Sequence, residues 1–305
     1  MERVLITGGS GMIGSRLTEI LEGKGYRVAH LSRRRSVKRE NTFYWDISAG
    51  KVDEEALKGT ACIVHLAGEN IGSSRWTKNR KRQILESRVL GLELLEKKIT
   101  ETGAHIKALI SASAVGIYKK NCDAPFSEEA EPENDFLGST CQQWEGAADR
   151  FAKLGVRVVK IRTGVVLSNK GGALPKMAAP VRFFIGAPVG KGTQSIPWIH
   201  IDDICGIYVK AIEEGLLSGV FNAVSPHPVT NGELTSVLGR VLKRPLFAPN
   251  VPGFVIKFLF GELSCLVLDS QRVSSEKIVK AGYQFKYPYI DGALDNIFVP
   301  VKKVW

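Results

Sequence analysis

The glycines near the amino terminus have the spacing of a loop that binds phosphate. A short apolar run, residues 4–6, leads into Gly8, Gly11 and Gly14. Gly8 can make the sharp turn out of a strand, Gly11 lets the backbone approach a pyrophosphate, and Gly14 lets the following helix pack closely on a sheet. This spacing predicts a dinucleotide-binding loop.

The residues around this loop supply the elements that it needs. The preceding apolar run is typical of a buried strand, and apolar residues recur at helical spacing from Ile13 to Leu21 before two glycines end the helix. Met12 and Ile13 begin this helix, where free N–H groups and the positive end of the helix dipole favour an anion. A second strand, Arg27–Leu31, follows at once, and this order distinguishes the motif from a glycine turn without a ligand.

The end of that second strand predicts which dinucleotide binds. NAD sites place an acidic residue about 20 residues past the glycine fingerprint, whereas this chain has Ser32, Arg33 and Arg34 there. Ser32 can donate a hydrogen bond, and Arg33 or Arg34 can clamp and stack against an adenosine 2′-phosphate. NADP(H) is therefore expected rather than NAD(H), with Arg33 as the leading contact. The alternative is that residues 33–39 are only a solvated basic run.

Strand and helix patterns alternate through the first half of the chain. This alternation predicts an α/β protein with a doubly wound parallel sheet of Rossmann type and helices on both faces. The expected elements after the first two strands are strands at 61–66, 107–111 and 157–162 and helices at 81–101 and 142–154.

The second half of the chain is less regular. Residues 170–197 contain several prolines and glycines and are expected to form loops on the substrate side, before a strand at 198–201. A cluster of prolines follows residue 240. We therefore expect a Rossmann-type NADP-binding domain over residues 1–240 and a small C-terminal substrate lobe over residues 241–305.

Composition sets limits on the function. The 305 residues carry a formal net charge of +11, but the basic residues are spread along the chain without a nucleic-acid motif. An anionic cofactor, alone or with an anionic small-molecule substrate, accounts for this charge, and solubility alone is the alternative. Five scattered cysteines and five scattered histidines indicate neither a disulfide framework nor a metal site.

The start of the chain and the length of its apolar runs indicate where the protein is located. The chain begins directly with a core strand and has no apolar run of the length that a membrane span needs. We therefore expect a cytoplasmic protein that binds neither nucleic acid nor a membrane. Formation of a homodimer is left open.

Short motifs along residues 1–240 resemble extended short-chain dehydrogenases/reductases in content and order. They are Thr7-Gly8-x-x-Gly11-x-x-Gly14, Asp46-Ile47, His65-Leu66-Ala67-Gly68, Arg162-Thr163-Gly164-Val165-Val166, Trp198-Ile199-His200-Ile201-Asp202-Asp203 and Val220-Phe221-Asn222. A second set resembles the poorly characterised epimerase-family proteins of this superfamily, which are sometimes labelled cell-division inhibitors. It comprises Gly68-Glu69-Asn70-Ile71, Arg75-Trp76, Ser87-Arg88, Trp144-Glu145 and Ala281-Gly282-Tyr283.

This resemblance implies further contacts to the cofactor. Asp46 and Ile47 would border the adenine, with Asp46 accepting from its amino group, and an ordinary turn is the alternative for the aspartate. Leu66–Gly68 would line the cofactor at a strand end, where a small residue permits close approach. The same motifs place Gly164 among the cofactor-binding residues.

Charged residues near these motifs are weaker candidates. Arg88 shares a predicted helix face with apolar residues, so it needs a partner. The superfamily parallel implies contact with the cofactor ribose, and a carboxylate in the core is the alternative. Glu69 could meet substrate or orient Arg75, or it could serve only as a helix cap or loop residue. Arg75 beside Trp76 is a candidate for an active-site loop.

The usual acid–base pair of the superfamily is absent. Extended reductases and epimerases normally use Tyr-x-x-x-Lys, in which the lysine lowers the pKa of the phenol. Alignment on Glu145 puts Leu137 and Cys141 at these two positions, and a shift of one residue gives Phe136 and Thr140. Neither register supplies the usual proton donor.

Two hydroxyls are candidate catalytic substitutes. Tyr118 follows a predicted strand end and could face the nicotinamide, or it could be an aromatic loop anchor. Ser113 matches the hydroxyl position of the family best, and either hydroxyl could polarise a carbonyl in the transition state. A histidine between two isoleucines on a strand, as His200 is, is more often structural than catalytic. Asp202 and Asp203 resemble a helix N-cap.

These observations favour an NADP(H)-dependent oxidoreductase that acts on a small carbonyl or alcohol. A nucleotide-sugar epimerase would share the fold and return its hydride. The competing class is a non-catalytic NADPH-binding regulatory protein, which the missing tyrosine and lysine favour.

Overall fold

The protein is described here from a computed structural model, which covers residues 2–33, 41–122 and 124–299. Arg34 lies outside these ranges. The strands within them are β1 (Arg3–Thr7), β2 (Arg27–Ser32), β3 (Thr42–Asp46), β4 (Lys51–Val52), β5 (Thr60–His65), β6 (Ala108–Ala114), β7 (Arg157–Thr163), β8 (Val165–Leu167), β9 (Ser195–Ile196), β10 (Trp198–His200), β11 (Gly219–Ala223) and β12 (Val229–Thr230).

The α-helices of the same ranges lie between and after these strands. They are α1 (Met12–Gly23), α2 (Lys78–Thr102), α3 (Phe136–Asp149), α4 (Leu174–Arg182), α5 (Ile201–Glu213), α6 (Asn231–Val241), α7 (Gly253–Phe260), α8 (Cys265–Leu268), α9 (Glu276–Lys280) and α10 (Ile290–Phe298). None of them is both long and apolar enough to cross a membrane.

The main sheet has eight strands in the order β11-β7-β6-β5-β1-β2-β3-β4. All neighbours are parallel except β3 and β4, which pair antiparallel. The chain moves outward from β1 through β2 to β3 and then returns to build the other half from β5. The strand order therefore reverses beside β1, and a ligand of an open α/β sheet binds outside the carboxyl ends at such a point. The Rossmann-type fold expected from the sequence is confirmed.

Helices cover both faces of the sheet because its central strands are apolar on both sides. One core contains apolar residues of β1, β5 and β7 packed against α1 and α5. The second core packs the opposite face against α2 and α3. The carboxyl edge of the sheet is left for loops.

The expectation that residues 170–197 form only loops is wrong. They contain α4, whose residues Leu174, Ala178 and Val181 are buried. Pro175 lies in the first turn, where the missing N–H has no helical partner to lose, and Pro180 is accommodated inside the helix.

The C-terminal residues share their core with earlier parts of the chain. Buried residues of α4 and α6 pack with Ile290, Ala293 and Leu294 of α10. Buried Asp203 also fastens this segment, because its carboxylate accepts from the Tyr283 hydroxyl at 3.1 Å and from two backbone N–H groups, of Lys286 and Tyr287. The side chain that caps α5 is His200, whose Nδ1 accepts from the Asp202 N–H at 3.0 Å, so the expected aspartate cap is wrong.

Candidate functional site

The glycine loop joins the carboxyl end of β1 to α1. Gly8 has φ +72°, and a Cβ on it would lie 2.8 Å from the Leu66 carbonyl carbon. A Cβ on Gly14 would lie 2.5 Å from the Gly8 carbonyl oxygen. These two glycines therefore permit a turn and a close packing that a side chain would prevent.

The first turn of α1 is prepared for an anion. A Cβ on Gly11 would meet only the Gly8 oxygen, at 3.2 Å, so the outer side of the loop is open among the described residues. Gly11 is the N-cap without a side-chain hydrogen bond, and the first turn holds no acidic residue. The N–H groups of Met12 and Ile13 have no acceptor within a helix, so this end fits a pyrophosphate.

A neutral histidine ties β1 to β5 beneath this loop. The Thr7 hydroxyl accepts from the N–H groups of Leu66 and Ala67, each at 3.2 Å, and lies 3.0 Å from His65 Nδ1. Burial lowers the pKa of His65 to about 4. The neutral ring can therefore accept the Thr7 proton, and the strand ends stay together.

Arg33 follows β2 directly, at the place expected for a 2′-phosphate contact. Ser32 ends the strand and is half-buried, whereas the Arg33 side chain is 78% exposed. Arg33 Nη1 lies 3.6 Å from Glu69 Oε1. Glu69 also binds Arg80, at 3.2 Å, so its ion-pair partners among the described residues are these two arginines and not Arg75, which was one of the alternatives.

Asp46 is the last residue of β3, and its side chain stabilises the turn that follows. Its Oδ1 accepts from the Ser48 hydroxyl at 2.6 Å and from the Ala49 N–H at 3.0 Å. These hydrogen bonds lower the pKa of the Asp46 carboxyl. Ile47 packs against the second core. The pair lies at the carboxyl end of β3, on the same side of the sheet as the glycine loop.

Arg88 lies directly behind Gly68. A Cβ on Gly68 would meet the Arg88 guanidinium carbon at 3.2 Å. Arg88 donates to the carbonyl oxygens of Ile84 and Glu69, at 2.8 and 3.1 Å, and covers the Trp144 ring at 5.1 Å. No carboxylate of the described residues forms an ion pair with it. Burial lowers the pKa of this guanidinium, so an anion nearby would stabilise its charge.

Gly164 needs its small size for packing between strand ends. A Cβ there would lie 2.3 Å from the Pro197 carbonyl oxygen. Its N–H donates to the Ala223 oxygen at 3.1 Å. These contacts explain why residue 164 is a glycine, and no bound cofactor is needed for the explanation.

We call the glycine loop, Arg33, Leu66–Glu69 and Arg88 the glycine-loop edge.

Ser113 and Tyr118 lie in a buried polar cluster. Arg162 binds Glu145 through two hydrogen bonds, of 2.8 and 2.9 Å. Ser113 donates to the same Glu145 carboxylate at 2.6 Å. The Tyr118 hydroxyl accepts from Arg162 at 2.8 Å and donates to Asn222 Oδ1 at 2.7 Å. We call these five residues the Arg162 network.

The two candidate hydroxyls are thus held by protein groups. Both residues are buried, and burial raises the pKa of Tyr118 to about 12. Leu137 and Cys141 are also buried, and burial raises the pKa of the Cys141 thiol to about 12. In this arrangement none of the four side chains presents a titrating group to solvent near neutral pH.

Sequence reasoning missed the ion pair at the centre of this network. Glu145 and Arg162 were noticed only as parts of motifs. The available signal was their position in otherwise apolar elements, because a charge on a buried helix face or strand requires a partner. The spacing of 17 residues does not say which partner it is.

The loop after Glu69 contacts the C-terminal segment. Arg75 donates to the carbonyl oxygens of Phe258 and Leu259, at 2.7 to 3.0 Å, and so caps the end of α7. Trp76 packs edge-on against Phe136 with ring centroids 5.1 Å apart. Arg75 thus has a structural partner in the place where an active-site role was expected.

A cavity of about 620 Å³ lies between this C-terminal segment and the loops above the sheet. Asn121 and Cys122 line it from the loop after β6, and Lys191 and Lys257 contribute two cations. Gln271 connects this region to the sheet edge, because its side chain donates to the Tyr118 carbonyl oxygen at 3.0 Å. The remaining lining residues are Gly190, Thr193, Gln194, Gly253, Phe254, Leu268, Asp269 and Ser270.

Comparison with known proteins places the chain among relatives of the same length. It is 36% identical over 299 residues to the mouse epimerase family protein SDR39U1, covering 97% of this chain and 99% of the mouse protein. It is 34% identical over 304 residues to epimerase family protein YfhF of Bacillus subtilis strain 168, covering 99% of each.

Solved structures agree with this placement. Human SDR39U1 isoform 2, solved with NADPH, superposes with a TM-score of 0.87 at 33% identity and covers 98% of this chain and 100% of the human chain. UDP-glucose 4-epimerase of Thermus thermophilus, solved with NAD, has a TM-score of 0.74 at 21% identity, covers 98% and 100%, and shares the fold.

Two family matches divide the chain. Residues 251–297 match a domain of unknown function, DUF1731. Residues 4–224 match the NAD dependent epimerase/dehydratase family. The resemblance to extended short-chain dehydrogenases/reductases is thereby confirmed, and the chain belongs to the NAD-dependent epimerase/dehydratase family.

Proposed function

We propose that this protein binds NADP(H) at the glycine-loop edge and transfers a hydride between the nicotinamide and a small carbonyl or alcohol. The observation that carries the proposal is the open, uncapped first turn of α1 at Gly11 with Arg33 at the end of β2. The NADPH found in the human relative supports it.

Each part of the edge has a role in this proposal. The first turn of α1 holds the pyrophosphate, because its N–H groups and helix dipole favour an anion. Arg33 binds the 2′-phosphate through its planar guanidinium. Asp46 and Ile47 border the adenine, and Leu66–Gly68 admit the cofactor where Arg88 lies behind the glycine. The bound NADP(H) supplies or accepts the hydride.

The substrate oxygen must exchange a proton during the reaction, and the usual tyrosine and lysine are not present to do this. Leu137 has no titrating group, and the high pKa of Cys141 keeps its thiol protonated at neutral pH. The hydrogen bonds of Ser113 and Tyr118 to Glu145 and Asn222 favour a structural role for these hydroxyls. We therefore propose that solvent delivers the proton to the substrate oxygen when a carbonyl is reduced and takes up the hydroxyl proton when an alcohol is oxidised.

The cavity between the loop after β6 and α7 is the proposed entry for substrate. Lys191 and Lys257 line it, and neither forms an ion pair with a described residue. A substrate with a carboxylate or phosphate would be attracted there. We propose an anionic small molecule on this ground.

A second candidate is a non-catalytic protein that binds NADPH and changes its contacts with a partner. The observation that favours it is the closed Arg162 network, in which the hydroxyls of Ser113 and Tyr118 already bind protein groups. A nucleotide-sugar epimerase would need a base for its transient oxidation, so the same observation disfavours that reaction.

Deuterium transfer separates these candidates. Stoichiometric protein is incubated with NADPH deuterated on either face of C4 and a small-metabolite extract, and products are searched by mass spectrometry. One labelled compound is expected, which would identify the substrate and the hydride face. Confirmed NADPH binding without any transfer would refute the oxidoreductase and favour the regulator or an epimerase that returns its hydride.

A further inference from the structure

Arg33 and Glu69 connect two strands that lie on opposite sides of β1. β1 pairs with β2 on one side and with β5 on the other. Arg33 directly follows β2, and Glu69 lies four residues after the end of β5. Their side chains meet at 3.6 Å. The ion pair therefore crosses the carboxyl end of β1, where the glycine loop begins.

Glu69 is the fixed partner of this pair. Its N–H donates to the Ser87 hydroxyl at 2.9 Å, and its carbonyl oxygen accepts from Arg88 at 3.1 Å. Its carboxylate also binds Arg80, whose side chain is only 14% exposed. Arg33 is the more exposed partner, with 78% of its side chain exposed against 35% for Glu69, so we take it as the partner that moves.

We propose that the Arg33–Glu69 pair is a strap across the cofactor cleft and that Glu69 thereby contributes to selectivity for NADP(H) over NAD(H). This inference rests on the proposed binding of NADP(H). A dinucleotide at a glycine loop lies across the carboxyl end of the first strand. The strap crosses the same place, so it must open before the adenosine ribose can reach the end of β2.

NADP(H) and NAD(H) differ in the group that each offers to Arg33 once the ion pair with Glu69 is broken. A 2′-phosphate offers charged oxygens that replace the lost carboxylate and can accept two hydrogen bonds. A 2′-hydroxyl offers no charge, so opening the strap weakens the binding of NAD(H) without compensation. Glu69 keeps Arg80 as a partner in both cases. The strap thus disfavours the dinucleotide that lacks the phosphate.

Dissociation constants for NADPH and NADH test the strap in four proteins: wild type, Glu69→Gln, Arg33→Gln and the double variant. Because the pair is exposed, we expect Glu69→Gln to bind NADH about two- to fivefold more tightly at low salt. Arg33→Gln is expected to tighten NADH by the same factor and to weaken NADPH by about tenfold or more. The double variant is expected to bind NADH no more tightly than either single variant.

Two controls separate the strap from other causes. Glu93→Gln removes the carboxylate of another exposed pair, with Arg150 at 3.0 Å, and is expected to leave both affinities unchanged. The tightening of NADH should also shrink at salt of about 0.5 M, because salt screens an exposed pair. A general loosening of the loop by Glu69→Gln would not be reproduced by Arg33→Gln.

Each outcome decides the inference. If wild type binds NADPH but both single variants bind NADH as wild type does, the strap is refuted and the proposed cofactor stands. If the effects in the double variant add, the two residues act separately and the strap is likewise refuted. Failure of wild type to bind NADPH overturns the proposed function and the strap with it.

Discussion

The glycine-loop edge and the Arg162 network lie along the same side of the sheet but use their polar groups differently. At the glycine-loop edge, α1 begins without a side-chain cap and Arg33 is largely exposed. In the network, Arg162 donates four hydrogen bonds to Glu145, Tyr118 and the Glu128 carbonyl. One region leaves donors for a ligand, and the other satisfies its donors internally.

This difference teaches where function is to be sought. A buried hydroxyl or guanidinium that already has partners must lose them before it can act on a substrate, and that loss is costly. The edge therefore has the properties of a binding site, whereas the network has those of a structural core.

The largest effect is expected when the network loses its anion. Glu145→Gln leaves the buried Arg162 charge without its carboxylate, so we expect the free energy of unfolding to fall by about 3–5 kcal/mol. Denaturant unfolding measures this value. The matched control is Glu93→Gln, whose exposed pair should change stability by less than about 1 kcal/mol. Equal small effects in both variants would show that the network is not structural.

Acid is expected to weaken the glycine-loop edge through His65. Its folded pKa, about 4, lies below its ordinary value, so stability is present above about pH 6.5 and is lost as the pH falls towards 4. Wild type should lose about 3 kcal/mol more than His65→Asn between pH 7 and pH 4. His105→Asn, which replaces an exposed histidine, serves as the control. The unfolding free energy of this variant should depend on pH as that of the wild type does.

A smaller effect is expected from Tyr118→Phe. The substitution leaves Asn222 Oδ1 without its donor, whereas Arg162 keeps the Glu128 carbonyl, so we expect a loss of about 1–3 kcal/mol in unfolding free energy. NADPH affinity should not change. If hydride transfer disappeared at unchanged stability, Tyr118 would be catalytic and the contrast between the two regions would fail.

The smallest effect is expected at Gly11. Its φ of −74° suits any residue, so Gly11→Ala should change the unfolding free energy by less than about 1 kcal/mol. The added methyl group lies where the backbone meets a pyrophosphate, so NADPH should bind about tenfold more weakly, or about 1.4 kcal/mol. Gly146→Ala, on an open side of α3, should leave NADPH affinity unchanged and raise the unfolding free energy by about 1 kcal/mol, because alanine favours a helix interior over glycine. Unchanged NADPH affinity in Gly11→Ala would argue against this binding edge.

Much of the sheet was predictable from local patterns. Apolar runs and the glycine loop correctly indicated β1, α1 and β2 and the strands at the centre of the sheet. Local patterns missed the start of one helix and the whole of another. Asp135 caps α3, which begins at Phe136, six residues before the expected start at residue 142. The prolines of α4 obscured a helix that buries one face. Capping and proline tolerance depend on position within a turn, which periodicity does not reveal.

The candidate site was predictable only in part. The sequence indicated Arg33, Gly68 and Arg88 as neighbours of a cofactor, and the fold places them at one edge. The sequence did not predict that Glu69 contacts Arg33 and Arg80, or that Arg75 caps α7. These contacts join residues 11 to 184 positions apart, and their partners depend on which loops the sheet brings together.

By itself the sequence determined the glycine loop, the alternation of strands and helices, and the lack of the usual tyrosine and lysine. Only the tertiary structure decided that Tyr118 and Ser113 bind protein groups and that Arg33 faces Glu69. The physical reason is that turns, caps and periodic apolar faces arise from neighbours along the chain. The partner of a charged or hydroxyl side chain is set by strand order and by the burial that makes an unpaired group costly.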